Sequence, residues 1–527
     1  MKRLWPWICA LLSGGLLALC YAPINWGGLA WVGLTPVICA LWFSEPWSRR
    51  EPLRRFLLGY LAGAAYFVGS LHWLITVTLP GWIALSLYLA IYPALWALVV
   101  AALKPRQSPF EARPVWMKSW PNLLIAILAA ATWVGLEWLR GVVLSGFGWN
   151  GLGIALHANL ALIQVADITG VGGLSFLLVM VNVMIVLTVK RLKVEIGRHK
   201  LRPHYDFSLT VALIALVFGY GVRELFEKPV PSESLSIAAI QGNVPIMEKR
   251  DPAREEAILE QHVRLTEDAM SMHPDLIIWP EAATPQPLFS DQHNWDVVRT
   301  LAEKHPGDFL LGTVNFDTTG DFNSAVLLTD SARTAQTYNK IHLVPFGEFL
   351  PFRHLVPYPV WITSQIPDDF DFGRAPILLE MASRPVKIAP LICFEDTLGD
   401  LARRFVLQGA QLFVTLTNDG WFLQSAGAEQ HVQHSLFRCV ETKIPMVRAA
   451  NTGLTCVIDA HGRFLHRLET ESGSSFIEGV LFSHLEVPRE PKLTFYTRYG
   501  DLFSLTCLGA GILTGGVLIF RHRREPA

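Results

Sequence analysis

From Trp5 to about Phe226 the chain alternates long apolar runs with short polar or basic joints, and this restricts the fold more than any other feature. Seven runs, near 7–23, 27–43, 56–75, 81–103, 122–143, 171–189 and 208–226, each approach the roughly twenty residues a helix needs to cross a bilayer. An eighth, about 502–520, follows a long polar region and ends in Arg521-His-Arg-Arg524. Lys2 and Arg3 give the first run the look of a signal peptide, but no small-residue cleavage site follows it, so the run is read as retained. Every second joint is basic. Arg49, Arg50, Arg54 and Arg55 lie between runs two and three, and Lys104, Arg106, Arg113 and Lys118 between four and five. Lys190, Arg191, Lys193, Arg198, Lys200 and Arg202 lie between six and seven. By the positive-inside rule these joints, both termini and the basic tail face the cytoplasm, and the 228–500 region lies outside it. The expected organisation is a seven-helix membrane domain at 1–227, an extracytoplasmic domain at 228–500, and an eighth helix with a cytoplasmic tail at 501–527.

Composition agrees: 51% of residues are hydrophobic, with 18 Trp, and the mean hydropathy is +0.34. A net charge of −1 leaves no basic excess for a nucleic-acid partner. The seven cysteines lack paired spacing, so neither a disulfide framework nor a zinc knuckle is written here, and nothing in the spacing of Cys439 and Cys456 asks them to pair. Polar residues inside the runs are few: His72, Glu137 and Arg140. A transporter would need more of them near the midplane, and a local ion pair accounts for Glu137 and Arg140. Gly59/Gly63 and Gly511/Gly515 read as ordinary glycines of membrane helices. The Gly-rich, aromatic joint 144–170 reads as an interfacial or re-entrant loop.

After Pro229 the texture changes. Strands are expected at 235–244, 275–281, 309–316, 323–330, 387–393, 412–418, 445–450, 454–459 and 476–482. Helices are expected at 252–272, 292–304, 398–409 and 427–441. Strands and helices alternate early and hairpin-like pairs follow, which predicts a layered α/β sandwich with a mixed sheet.

Three strand ends in this region finish on reactive side chains. Trp279-Pro-Glu281 closes an apolar strand, Tyr338-Asn-Lys340-Ile-His-Leu-Val-Pro-Phe-Gly-Glu348 carries a lysine and a glutamate around a turn, and Leu391-Ile-Cys393 supplies a thiol at a strand-to-helix turn. Taken alone, Cys393 reads equally well as a small core residue, Glu281 as a loop carboxylate and Lys340 as a solvated edge lysine. Together they read as a site, because apolar flanks on all three make each costly to bury without partners. Glu429, His431 and His434 share one helix, and a partly exposed helical face explains them better than metal ligation.

Trp-Pro-Glu, Asn-Lys-x-His-Leu-Val-Pro-Phe-Gly-Glu and Ile-Cys-Phe-Glu resemble the Glu–Lys–Cys signature of the nitrilase superfamily. With eight apolar runs and a domain inserted before the last, the whole chain resembles the apolipoprotein N-acyltransferase family of Gram-negative inner membranes. Thr417-Asn-Asp-Gly-Trp421 and Pro445-Met-Val-Arg-Ala-Ala-Asn-Thr-Gly453 match that family too. The resemblance implies an α-β-β-α sandwich on a multi-span helical bundle, working as a monomer without metal or other cofactor. It implies acyl transfer from a phospholipid, typically phosphatidylethanolamine, to the N-terminal amine of a diacylglyceryl-cysteine lipoprotein. Cys393 is then the nucleophile, Glu281 the general base, Lys340 the oxyanion stabiliser and Glu348 an auxiliary glutamate. Phe394 and Glu395, directly after the nucleophile, are expected at the substrate. Phe394 stands where the family commonly has Tyr, and Arg250 where it usually has Trp. The same signature also suits a membrane-anchored carbon–nitrogen hydrolase whose acceptor is water, although a soluble substrate gives no reason for eight spans. A catalytically silent lipid-binding scaffold gives no reason for a complete triad.

The segment Phe349-Leu-Pro-Phe-Arg-His-Leu-Val-Pro-Tyr-Pro-Val-Trp361 follows Glu348 and is rich in aromatic residues and proline, so it is expected to be a loop. An apolar loop needs a burial partner, either the domain's own core or lipid. The expectation is a lid over 349–367, with Phe352 and Trp361 meeting lipid and Trp421 lining the opposite side.

Overall fold

Every apolar run lands on helical segments, but they differ in length. The computed structural model describes residues 3–45, 50–105, 115–197, 199, 202–228, 230–249, 251–364 and 366–524. The chain divides into two compact units, Met1–Glu227 with Asp501–Ala527, and Lys228–Gly500.

In the first unit the helices are α1 (Trp5–Ala18), α2 (Thr35–Phe43), α3 (Glu51–Ser70), α4 (Leu79–Leu89), α5 (Ile91–Ala102), α6 (Val115–Arg140), α7 (Val171–Gly197) and α8 (Tyr205–Leu225). Among the described residues, five helical stretches are long and apolar enough to cross a membrane: Leu79–Ala102, Ser119–Arg140, Val171–Gly197, Tyr205–Leu225 and Leu502–Phe520. The first three expected spans fall short of that measure for different reasons. α1 has 14 residues, so it rises about 21 Å. The second run is split by the 3-10 turn Gly27–Trp31. α3 carries Glu51, Arg54 and Arg55 in its first turns, with Arg54 buried against Glu51 and the Ser44 hydroxyl.

Two further expectations are corrected. Gly59 and Gly63 are not incidental glycines. They let α3 press against α5, where a Cβ on Gly59 would sit 2.4 Å from the Ala97 Cβ and one on Gly63 would sit 3.0 Å from the Ala90 Cα. Gly515 has open space around it, as an ordinary glycine would. Glu137 and Arg140 are each satisfied by backbone rather than by one another. Glu137 accepts from Leu152 N at 2.7 Å, and Arg140 donates to the Trp149 carbonyl at 2.8 Å. The joint 144–170 is packed into the unit, with Leu152–Leu156 and Ala161–Ile163 buried.

The second unit is a sandwich of two six-stranded sheets. Its strands are β1 (Ser232–Gln241), β2 (Leu276–Ile278), β3 (Asp308–Asp317), β4 (Gly320–Thr329), β5 (Thr334–Asn339), β6 (Leu379–Glu380), β7 (Lys387–Ile392), β8 (Leu412–Thr417), β9 (Met446–Ala450), β10 (Cys456–Ile458), β11 (Phe464–Arg467) and β12 (Gly479–Pro488). The sheets run β12-β1-β2-β3-β4-β5 and β11-β10-β9-β8-β7-β6. Neighbours are parallel within β1-β2-β3 and within β7-β8-β9. Helices α9 (Glu255–Met270) and α10 (Gln292–Lys304) pack on the first sheet, α11 (Gly399–Leu407) and α12 (Ala426–Thr442) on the second, and α13 (Leu502–Arg524) returns to the first unit. This is the expected α-β-β-α sandwich with an apolar helical bundle. The late strand expected at 476–482 runs instead over 479–488, because it pairs along the whole of β1 from Gln241↔Gly479 to Ser232↔Pro488.

Trp279 anchors the first sheet. It is fully buried, donates its indole N–H to Thr266 Oγ1 at 2.8 Å and meets the Phe309 ring edge-on at 5.3 Å. Truncating such a side chain typically costs about 3–5 kcal/mol, so the segment it carries, Pro280-Glu281, is held firmly. Gly312 on β3 lets that segment approach, since a Cβ there would lie 2.5 Å from the Pro280 carbonyl oxygen.

Candidate active site

The carboxyl ends of β2, β5, β7 and β8 converge, and loops leaving the carboxyl ends of strands are where open α/β sheets place their ligands. Glu281 follows β2, Lys340 follows β5, Cys393 follows β7 and Asp419 follows β8. Backbone strain collects here. Ala282, Phe346 and Cys393 have φ of 46°, 61° and 53°, values that non-glycine residues hold only where the surroundings enforce them.

Lys340 is 1% exposed. Its Nζ lies 3.6 Å from Glu281 Oε1 and 2.8 Å from Glu348 Oε2, with Glu348 Oε1 at 2.9 Å. Burial alone would favour its neutral amine, but Glu348, then Glu281 and Cys393, more than offset that and hold the ammonium well above the ordinary lysine value. Lys340 N donates to the Asn323 carbonyl at 2.8 Å, which seats the lysine on the end of β4. The Asn323 amide then bridges the two glutamates, donating to Glu281 Oε1 at 2.8 Å and to Glu348 Oε1 at 2.9 Å. Val344 N donates to Glu348 Oε2 at 2.8 Å, so the Val-Pro-Phe-Gly turn holds its own glutamate.

Cys393 is half-buried and opens the 3-10 turn Cys393–Thr397. Burial pushes its thiol up, Glu281 and Asp419 add to that, and Lys340 and a hydrogen bond with the Thr417 side chain oppose it. At rest Cys393 is therefore a thiol with a carboxylate and an ammonium in electrostatic reach. It needs a base to become a thiolate.

The structure brings Glu281, Lys340 and Glu348 into direct contact and couples Cys393 to the first two. Phe394 is half-buried, with its ring stacked on His342 at 5.7 Å. Glu395 is corrected. Expected at the substrate, it is wholly buried and spent on scaffolding. Its Oε1 takes the Tyr338 hydroxyl at 2.9 Å, Ile341 N at 2.7 Å and His342 N at 3.0 Å, while Oε2 takes Ile392 N at 2.9 Å. It thereby pins the lysine turn to the cysteine turn. Burial, against those backbone donors and Lys340, pushes its carboxyl up to about 7. His431 is corrected as well. α12 is buried along nearly its whole length, and His431 is 1% exposed between Asp396 and Asp419, not on a partly exposed face.

Sequence reasoning missed Asn323, which lies in an ordinary-looking strand, and the Asp396–Asp419–His431–Arg448 cluster. The Asn-Asp-Gly and Val-Arg-Ala motifs marked the place of that cluster without its chemistry. Along the loop, Phe352 is 68% and Leu355 81% exposed. Arg353 pins the loop's base through Asp369, and the Tyr358 hydroxyl donates to the Pro351 carbonyl at 2.7 Å. Trp421 is 39% exposed. The Trp361 side chain and Arg250 lie outside the described residues. Cys439 and Cys456 are free and buried.

Residues 13–184 match the family model described as apolipoprotein N-acyltransferase N-terminal domain, and 236–482 match carbon-nitrogen hydrolase. An apolipoprotein N-acyltransferase of Geobacter metallireducens is 34% identical over 98% of this chain and 96% of its own length. One from Nitrosomonas europaea is 28% identical over 93% of this chain and 94% of its own. Among solved structures, a CN-hydrolase superfamily protein from Xanthomonas campestris matches over 48% of this chain and 91% of its own, at 19% identity and a TM-score of 0.37. Relatedness at this level along nearly the whole length of both chains means that the protein belongs to the apolipoprotein N-acyltransferase family.

Proposed function

We propose that this protein moves an acyl chain from a membrane phospholipid, through a thioester on Cys393, to the N-terminal α-amine of a diacylglyceryl-cysteine apolipoprotein. The observation that carries the reading is a buried ammonium held between two carboxylates beside a half-buried thiol, in a chain whose other unit is an apolar helical bundle.

Glu281 takes the thiol proton as sulfur attacks the ester carbonyl of the donor. Negative charge builds on the carbonyl oxygen, where the Lys340 ammonium and the Phe394 N–H stabilise it; removing one such donor typically costs on the order of 10²–10³ in rate. Collapse breaks the ester C–O bond, and the departing lysophospholipid oxygen takes the proton back from Glu281. The amine then attacks the thioester, Glu281 accepts its proton, and collapse returns that proton to sulfur. Glu348 and Asn323 hold Lys340 and Glu281 in place.

The basic joints and both termini are on the cytoplasmic side, and the 228–500 unit is in the periplasm, where lipid-anchored donor and acceptor both arrive by lateral diffusion. Phosphatidylethanolamine is the expected donor and the working unit a monomer. The exposure of Phe352 and Leu355 supports a lid at 349–367 that meets lipid, with Trp421 opposite. A water acceptor would make the same site a carbon–nitrogen hydrolase. The N-terminal family match favours the transferase.

Mass spectrometry of the protein purified from its membrane tests the reading. It predicts a fatty-acyl adduct on the Cys393 peptide that neutral hydroxylamine removes, that a diacylglyceryl-cysteine peptide discharges as an amide, and that Cys393→Ala lacks. Discharge by water as fast as by the amine would favour the hydrolase, and no adduct under any donor would overturn the covalent mechanism.

A further inference from the structure

Within a few residues of Cys393 a closed ring of four charged side chains is buried, and the chemistry above leaves it unused. Asp396 sits three residues on from Cys393 in the same 3-10 turn. Its carboxylate accepts from Arg448 Nη1 at 2.7 Å and Ser435 Oγ at 2.7 Å, and lies 2.9 Å from His431 Nε2. Asp419, in the turn after β8, accepts from Arg448 Nη2 at 2.8 Å and lies 2.9 Å from His431 Nδ1. All four side chains are 0–1% exposed. Arg448 pairs in register with Thr415 and, through it, Leu391, so one guanidinium serves the ends of three parallel strands.

Charge count fixes the state of the ring. Two carboxylates against one guanidinium would leave a buried negative charge, which is costly. Both ring nitrogens of His431 lie 2.9 Å from a carboxylate oxygen, and two such anions favour the imidazolium. Arg448 Nη2 also approaches His431 Nδ1, at 2.8 Å, but two anions outweigh that repulsion. Burial opposes the proton on His431, Asp396 and Asp419 favour it against Arg448, and the balance lies above the ordinary imidazole value. Other groups facing the ring among the described residues include the buried thiols of Cys439 and Cys456, Cys393, Ser435, Thr417 and the Phe422 ring, which meets His431 edge-on at 6.2 Å. Thr417 joins the ring to the reacting atom. Its hydroxyl donates to Asp419 Oδ1 at 3.3 Å, and its side chain favours the anionic form of the Cys393 thiol.

We propose that Arg448 and His431 are positioning residues for the nucleophile: by clamping Asp396 and Asp419 into a neutral quartet they fix the turn that aims Cys393 and cancel the negative charge on its flank. The inference rests on Cys393 being the nucleophile, but it concerns the thiol itself and is read without any transfer reaction. Without the second cation, Asp419 would bear uncompensated on a sulfur that must become anionic.

The test is the rate at which iodoacetamide alkylates Cys393 in the full-length protein in detergent, followed on its own peptide across pH 6–10, with thermal midpoints measured beside it. His431→Gln keeps shape and hydrogen bonding but removes the cation. It is expected to slow alkylation at neutral pH by about tenfold or more and to move the profile to higher pH. Adding Asp419→Asn to His431→Gln restores neutrality and is expected to recover much of the rate, which a purely structural role would not do. Thr417→Val leaves the quartet charged as before and removes the hydroxyl that Asp419 accepts from and that favours the thiolate, so it should fold, and it too should alkylate more slowly. Wild-type alkylation in folded His431→Gln, or unchanged alkylation in Thr417→Val, would overturn the proposal. If His431→Gln fails to fold while the double variant folds, the charge-balance argument stands. If neither folds, Thr417→Val decides. Failure to find an acyl-enzyme would leave these rates unaffected, so the two readings fail separately.

Discussion

Asn323 offers the sharpest perturbation, because one amide group serves both glutamates and carries no charge of its own. Replacing it with Ala removes two donors, at 2.8 Å from Glu281 and 2.9 Å from Glu348. The second loss is cushioned, since Glu348 keeps Lys340 at 2.8 Å and Val344 N at 2.8 Å. The first is not, since Glu281 retains only the longer 3.6 Å approach of Lys340 among the charged contacts described. A hydrogen bond to a charged group is worth about 1.5–3 kcal/mol, so if the full loss reaches the transition state, acylation should slow by roughly 10- to 150-fold. Rapid-quench single-turnover acylation with a short-chain soluble ester isolates that step, read as acyl-Cys393 by peptide mass, with the thermal midpoint as a check on folding. A folded Asn323→Ala that acylates within twofold of wild type would refute the argument that the amide holds the base.

Three other outcomes are expected. Polar replacement of Phe352 and Leu355, 68% and 81% exposed, should slow turnover of long-chain phospholipid far more than of a short-chain soluble ester; equal losses would return the loop to the core. In intact cells, cysteines introduced into 45–55, 104–120 or 190–206 should react only with membrane-permeant reagents, whereas one at an exposed site in 250–330 should react with impermeant ones; the reverse pattern would invert the topology. His262 is wholly buried, and burial lowers it from 6.5 to about 4, so its folded value lies below its unfolded one and the stability it contributes above pH 6.5 is lost as pH falls toward 4. That is roughly 3 kcal/mol at full effect, so the midpoint of His262→Leu should fall less than wild type's between pH 7 and pH 4, and parallel curves would count against it.

The parts of this protein that were legible in its sequence are those governed by local pattern. Apolar runs marked the helices, and apolar strands ending in Glu281, Lys340 and Cys393 marked the site, because burial and period leave direct traces. Helix length was less legible: the first run stops as helix at Ala18 since the Pro23 and Asn25-Trp-Gly-Gly segment ends it, a break that a hydropathy window averages over. What escaped depends on pairings distant in the chain. Glu395 looked like a substrate contact because it follows Cys393 so closely, yet three of its four donors, Tyr338, Ile341 and His342, lie more than fifty positions away. His431 looked like part of a solvated face because α12 is polar. The helix is polar because its buried side chains have fixed partners, and Arg448, one of them, arrives from another strand.

The pairing of β12 with β1 has a consequence for how such a protein is assembled. Ser232 stands opposite Pro488 in an antiparallel ladder, so the first and last strands of the sandwich enter and leave at the same place. An insert whose first and last strands lie side by side asks little of its host: the chain can depart, fold a complete sandwich and come back past its own first strand. Excision should then be as simple as insertion. A gene joining Glu227 to Asp501 through a short flexible linker is expected to yield a bundle that still holds α13, and the piece removed is expected to close on itself when expressed alone.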